Sequence, residues 1–162
     1  MDIKKVFKDY WLVLLIPVLI IIDQLTKVIA VNLLTEGVRF EMIENFFYFT
    51  LVYNKGGAWS MFWGKTWVLV LVAIIAVGAF GYMFYKTKNK WSQFSLALLI
   101  SGAIGNIIDR VINDGKVTDF LDFFIFGYDY PVFNFADICV VVGMILYCIL
   151  VFVEDSAKGK EK

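Results

Sequence analysis

The chain has 162 residues with 15 basic and 15 acidic side chains, so its formal charge is zero; 60% of its residues are hydrophobic, 18% aromatic and only 19% charged. Ordinary soluble domains sit near half apolar and a quarter charged, so the composition excludes a water-soluble domain and marks a membrane protein, with no sign of a nucleic-acid partner. There is no histidine, which argues against a zinc hydrolase, and no metal or other cofactor is expected.

A hydrocarbon layer about 30 Å thick takes roughly 20 helical residues to cross. The first segment of that length runs from about Trp11 to Leu34. Lysines precede it, as in a signal peptide, but no small-residue cleavage site follows, Asp23 interrupts it, and apolar residues resume at Val28, so a retained helix is expected. Asp23 and Lys27 are spaced i and i+4, in the order that supports a helix, and read as a structural ion pair that lessens the cost of burying both charges in lipid.

The connection from 35 to 66 follows. Val38, Phe40 and Met42 alternate with Arg39 and Glu41, and an aromatic run from Phe46 to Tyr53 ends at Asn54-Lys55-Gly56-Gly57. The pattern reads as strand, strand, turn, in a sheet lying on the membrane surface; an irregular interfacial aromatic belt is the alternative.

Further spans are expected at 67–85, 94–112 and 132–153, with a second large connection at 113–131. Lys4, Lys5 and Lys8, then Lys86, Lys88 and Lys90, then Lys158, Lys160 and Lys162 all fall on one side of this topology. The positive-inside rule puts that side, with both termini, in the cytoplasm and the two large connections outside. The expected organisation is one integral membrane domain over 1–155, followed by a basic cytoplasmic tail at 156–162. Cys139 and Cys148, both in the last span, read as small buried hydrophobes.

Polar residues gather at the outer ends of the last two spans. Asn106 and Arg110 share a helix face, roughly 18 and 24 Å along the third span if it starts at Phe94. Asn134 and Asp137 are i and i+3 at the start of the fourth. Singly, the asparagines could be interhelical hydrogen-bond glue, Arg110 a snorkelling interface residue, and Asp119 and Asp122 loop charges beside Phe120, Phe123 and Phe124. Asp137 is different, because it heads an unbroken apolar run where an isolated carboxylate is costly. Asp119 and Asp137 lie at one outer level, where two carboxyls can share a proton and cleave an amide through an activated water. A small proton-coupled transporter is the main alternative, and it would distribute its acids through the bilayer depth.

Five motifs occur in order along the chain: Asp23-Gln24-x-Thr26-Lys27; Asn54-x-Gly56-x-Ala58-Trp59; Gly102-x-x-Gly105-Asn106-x-x-Asp109-Arg110; Val117-x-Asp119-Phe120; and Pro131-x-Phe133-Asn134-x-Ala136-Asp137. Together they resemble the lipoprotein signal peptidases, also called signal peptidase II. The resemblance implies a bundle of four transmembrane helices with a small extracytoplasmic β-sheet, in a bacterial cytoplasmic membrane. It implies an aspartyl endopeptidase that cuts diacylglyceryl-modified prolipoproteins before the lipidated cysteine and is inhibited by globomycin-type compounds. By the same match Asp119 and Asp137 are the catalytic pair, Asn54, Gly56, Asn106, Arg110 and Asn134 bind substrate, and Asp23 and Lys27 give structural support. No obligate protein partner is implied. Gly57 stands where the family pattern has alanine, and Ile138 where smaller residues are usual.

Overall fold

The computed structural model describes residues 9–55 and 66–160. A 3-10 turn, Trp11–Leu14, leads into helix α1, Leu15–Leu33, with Pro17 in the first turn, where a missing N–H is tolerated. Strands β1, Arg39–Ile43, and β2, Phe47–Asn54, precede α2, Thr66–Lys86, and α3, Lys90–Ile112. Then come β3, Val117–Ile125, a short β4, Tyr128–Asp129, and α4, Phe135–Lys160. Among the described residues, four helical stretches of 21 to 23 residues are long and apolar enough to cross a membrane.

The helices begin where side chains can serve their first N–H groups. Asn89 caps α3, its Oδ1 accepting from Trp91 N at 2.9 Å and Ser92 N at 3.3 Å, so that helix starts at Lys90 rather than Phe94. Measured from Lys90, Asn106 and Arg110 lie about 24 and 30 Å along the helix, at its outer end. Asn134 caps α4, which therefore starts at Phe135, and Pro131 holds the preceding backbone extended.

Helix α3 is the central post. Most of it is buried, while the spanning parts of α1, α2 and α4 turn mainly outward. It can be central because it presents Ser92, Ser95, Ala97, Ser101, Gly102 and Gly105 to its neighbours, and small residues let membrane helices approach closely. A β-carbon on Gly102 would stand 2.3 Å from the Ala136 carbonyl oxygen of α4, and one on Gly105 would stand 2.5 Å from Asp23 Oδ2 of α1. Leu12, Phe84, Leu96, Leu99 and Ile100 close the opposite, lysine-bearing end.

Four antiparallel strands in the order β1-β2-β3-β4 form one sheet. The first two strands arise where the alternation and aromatic run of 38–54 predict them. The third was not legible as a strand. Its acids recur at a spacing of three, Asp119 and Asp122, and both of its faces are buried, so period-two alternation is absent. One extra residue on β2, between Phe49 and Val52, shifts the pairing with β3. Such a bulge changes which face later side chains occupy. Thr50 thus meets Asp122, while Asn54, four residues further on, meets Asp119 on the opposite face.

Gly102→Ala should lower the thermal stability of the detergent-solubilised protein by about 1–3 kcal/mol, because the new methyl group meets backbone that cannot swing aside. Gly81→Ala, whose β-carbon would meet nothing within 4 Å, should cost nothing. Thermal unfolding followed by circular dichroism distinguishes the two.

Candidate active site

The site is built where α1, α3, α4 and the sheet meet, and its foundation is a buried cation. Lys27 Nζ lies 2.9 Å from Asp23 Oδ2 and 3.3 Å from Asp109 Oδ2, with all three side chains at least 96% buried. The same ammonium donates to Asn106 Oδ1 at 3.1 Å. Gln24 ties the acids together, its Nε2 donating to Asp23 Oδ2 at 3.0 Å and Asp109 Oδ1 at 3.1 Å. Each acid then reaches a different element. Asp23 Oδ1 accepts the backbone N–H of Ala136 at 2.9 Å, bringing negative charge to the N-terminus of α4. Asp109 Oδ2 accepts the N–H of Thr118, the residue before Asp119, at 2.8 Å.

Asp119 and Asp137 hang from this frame. Asn134 forms a capping box with Asp137: Asn134 Oδ1 accepts from Asp137 N at 3.0 Å, and Asp137 Oδ2 accepts from Asn134 N at 3.2 Å. The capping geometry that starts α4 therefore also fixes the carboxyl. Asp137 Oδ1 accepts from Asn106 Nδ2 at 2.8 Å, and Asp119 accepts from Asn134 Nδ2 at 2.6 Å and Asn54 Nδ2 at 3.0 Å. Asn134 Nδ2 also donates to Asn106 Oδ1 at 3.1 Å. The acids around the site thus fall into two groups. Asp23 and Asp109 share Lys27, and Asp122 is held by Arg39 at 2.8 Å, whereas among the described residues Asp119 and Asp137 have amide donors and no salt-bridged cation.

That difference decides their chemistry. Burial, and then the negative charge of Asp137, push the Asp119 carboxyl up to about 7, against the pull of the Asn54 and Asn134 donors. Both effects favour the protonated form of this carboxyl.

Asp119 and Asp137 open together on a cavity of about 680 Å³, with Asn54, Asn106 and Arg110 in its wall. Its far side is apolar, formed by Pro131, Val132 and Phe133 before α4 and by Ile138 and Val141 on it. Arg110 is 9% exposed; one of its terminal nitrogens donates to Asn106 O at 3.2 Å, and its Nε has no partner among the described residues. Asn134 is completely buried and sits behind the acids rather than in the cavity wall. Gly56 lies outside the described residues, as does Gly57.

Sequence reasoning singled out Asp119, Asp137, Asn54, Asn106, Arg110, Asn134, Asp23 and Lys27, and the fold brings all of them into one connected cluster. It underweighted Gln24 and Asp109. Their signal was present in the positions of Gln24 beside Asp23 and of Asp109 three residues after Asn106, but only the packing of α1 on α3 shows that they share a cation. The Arg39 and Asp122 pairing was also missed, because it depends on the unrecognised third strand.

Two amide-held carboxyls facing an apolar cavity between membrane helices define the class of aspartic, membrane-embedded peptidases. The chain matches the family model for Signal peptidase (SPase) II over residues 15–153. It is 43% identical over 148 residues to the lipoprotein signal peptidase of Clostridium acetobutylicum, covering 90% of this chain and 96% of that protein. It is 40% identical over 152 residues to that of Staphylococcus aureus strain MRSA252, covering 93% and 92%. A bacterial membrane enzyme solved by the in meso method at 2.3 Å superposes with a TM-score of 0.84 at 39% identity, over 93% of this chain and 92% of that one. A second, at 1.9 Å, gives 0.78 at 39% identity, over 86% and 91%. The chain belongs to the signal peptidase II family. It is a multi-span membrane peptidase of that family, and the transporter alternative is set aside.

Lys27→Met should be far more damaging to the fold than Asp119→Asn. Removing the cation strands two buried carboxylates, at a cost of about 3–5 kcal/mol, whereas Asp119 has no ion pair to lose among the described residues. Denaturation midpoints of the purified variants in detergent check the order.

Proposed function

We propose that this peptidase hydrolyses the peptide bond before the lipid-modified cysteine of a diacylglyceryl prolipoprotein, with Asp119 and Asp137 as the catalytic pair. The observation that carries the reading is the contrast among the acids of the site: among the described residues Asp119 and Asp137 have amide donors and no salt-bridged cation, and they open together on the cavity.

The chemistry follows from one proton shared by two carboxyls. The ionised member takes a proton from a water between them as that water attacks the scissile carbonyl, and the protonated member donates to the developing oxyanion. The tetrahedral intermediate collapses when a proton passes to the departing amine. Asn54, Asn106 and Asn134 hold the carboxyls in place throughout. Arg110 stands in the cavity wall, where its guanidinium is suited to a substrate carbonyl. Asn134, wholly buried with its amide engaged by Asp119, Asn106 and Asp137, is a positioning residue rather than a substrate contact. Asp23 and Lys27 support the frame.

Substrate selection follows from depth. The site lies at the sheet end of the helices, and the lysine distribution assigns that end to the outer leaflet, with both termini cytoplasmic. A signal helix in the bilayer and acyl chains in the outer leaflet bring the bond before the modified cysteine to this level. The apolar wall from Pro131 to Val141 suits such a ligand, as it does a lipophilic cyclic inhibitor of the globomycin type.

Incubating the purified protein in detergent with a diacylglyceryl prolipoprotein should release the signal peptide. Asp119→Asn and Asp137→Asn should each abolish release, by about 10³-fold or more, while the protein stays folded. Folded wild-type protein that leaves the signal peptide attached would refute the assignment.

Catalytic efficiency, kcat/KM, should also fall as pH rises through about 7. Asp119 is raised above the ordinary carboxylate value, so the pair keeps its shared proton below that pH and loses it above. A kcat/KM profile from pH 5 to 9 with no alkaline fall would contradict the shared-proton mechanism.

A further inference from the structure

The β3–β4 turn holds a residue that neither the fold nor the hydrolytic site accounts for. Ile125 pairs with Tyr128, leaving Phe126-Gly127 as a two-residue hairpin loop. Both central residues have positive φ, 50° at Phe126 and 83° at Gly127, the pattern of a type I′ turn. The first position of such a turn favours asparagine, aspartate or glycine, because a larger side chain strains the left-handed backbone. Here it carries phenylalanine, and that phenylalanine is fully exposed. The residue is thus unfavourable twice over, in backbone conformation and in hydration.

We propose that Phe126 is a lipid anchor: the hairpin tip inserts its ring into the interface of the leaflet on the sheet side and thereby fixes the height of the cavity wall above the bilayer.

The surroundings name lipid as the occupant. Among the described residues four helices are long and apolar enough to cross a membrane, and the hairpin returns into one of them, α4, which begins at Phe135. Tyr128 and Tyr130 on the return leg are exposed, and tyrosine is favoured at the level of lipid headgroups. The tip itself, Ile125 to Tyr128, bears no charge. The nearest one, Asp129, is held at 2.7 Å by Arg39, so no unpaired carboxylate keeps the hairpin in water.

The hairpin is also joined to the site. Tyr130, Pro131 and Phe133 line the cavity, and Phe133 exchanges backbone hydrogen bonds with Leu121. A tip held in lipid would therefore hold one cavity wall level with a substrate whose reactive bond is itself held by acyl chains. This catalytic consequence rests on the peptidase reading; the insertion does not.

The test separates the two. A nitroxide is placed on Phe126→Cys in a Cys148→Ser background, the remaining Cys139 being buried, and the protein is reconstituted in vesicles of phosphatidylglycerol and phosphatidylcholine. Oxygen should reach the label while a water-soluble nickel chelate is excluded. In parallel, Phe126→Asn, which suits the turn better than phenylalanine, should raise KM for a lipidated peptide in vesicles by about tenfold with kcat held, as expected for losing part of one buried aromatic ring. Phe126→Leu should keep most of the wild-type KM. Nickel reaching the label as freely as it reaches a nitroxide in buffer, or an unchanged KM in Phe126→Asn, overturns the proposal. If the wild type cleaves no lipidated peptide, the peptidase reading fails and label depth alone decides the anchor.

Discussion

The structure depends on one buried ammonium group. Lys27 is shielded from water and sits between Asp23 and Asp109 while also donating to Asn106. Burying a charge is costly unless it is paired and its remaining hydrogen bonds are met, so this cluster tolerates little displacement of any member. Through its two acids it reaches beyond its own helices, Asp23 to the first turn of α4 and Asp109 to the start of β3. Asp137 follows Ala136 and Asp119 follows Thr118. The cation therefore sets the spacing of the two catalytic candidates without touching either carboxyl.

The frame and the site use the same residue type in opposite ways. An aspartate beside a lysine or arginine makes an ion pair that ties two elements together, which suits Asp23, Asp109 and Asp122 to structural tasks. Asp119 and Asp137 receive asparagine amides instead, donors that fix orientation without supplying a full charge. Among the described residues, four acids around the site, Asp23, Asp109, Asp119 and Asp137, face three cations, Lys27, Arg110 and Lys55 of the cavity wall, so a proton on the pair reduces the excess negative charge. Burial acts in the same direction. The Asp119 carboxyl is raised first by burial and then by the charge of Asp137, with no salt-bridged cation among the described residues to oppose them.

Much of this was legible in the sequence because lipid makes polar residues conspicuous. An interrupted apolar run exposed Asp23 and Lys27, and the clean run after Asp137 marked that residue. The alternation of Val38 to Met42 located the first strand. What stayed hidden depends on two elements meeting. β3 carries acids at a spacing of three and is buried on both faces, so it mimics a loop, and the pairing of Asp122 with Arg39 and Thr50 could not be foreseen without it. Asp109 was visible as a charge, but its pairing with Lys27 belongs to the close approach that Gly102 and Gly105 permit. Helix starts were displaced because the Asn89 and Asn134 caps, rather than hydropathy, decide them.

Geometry at the two carboxyls is the central claim, and a lipopeptide carrying a hydroxyethylene isostere in place of the scissile amide probes it most directly. In a crystal structure of the complex, the hydroxyl should lie within hydrogen-bond distance of both Asp119 and Asp137, with the acyl chains along the apolar wall. A ligand bound productively at the same leaflet with its hydroxyl against only one of these acids, or neither, would contradict the account.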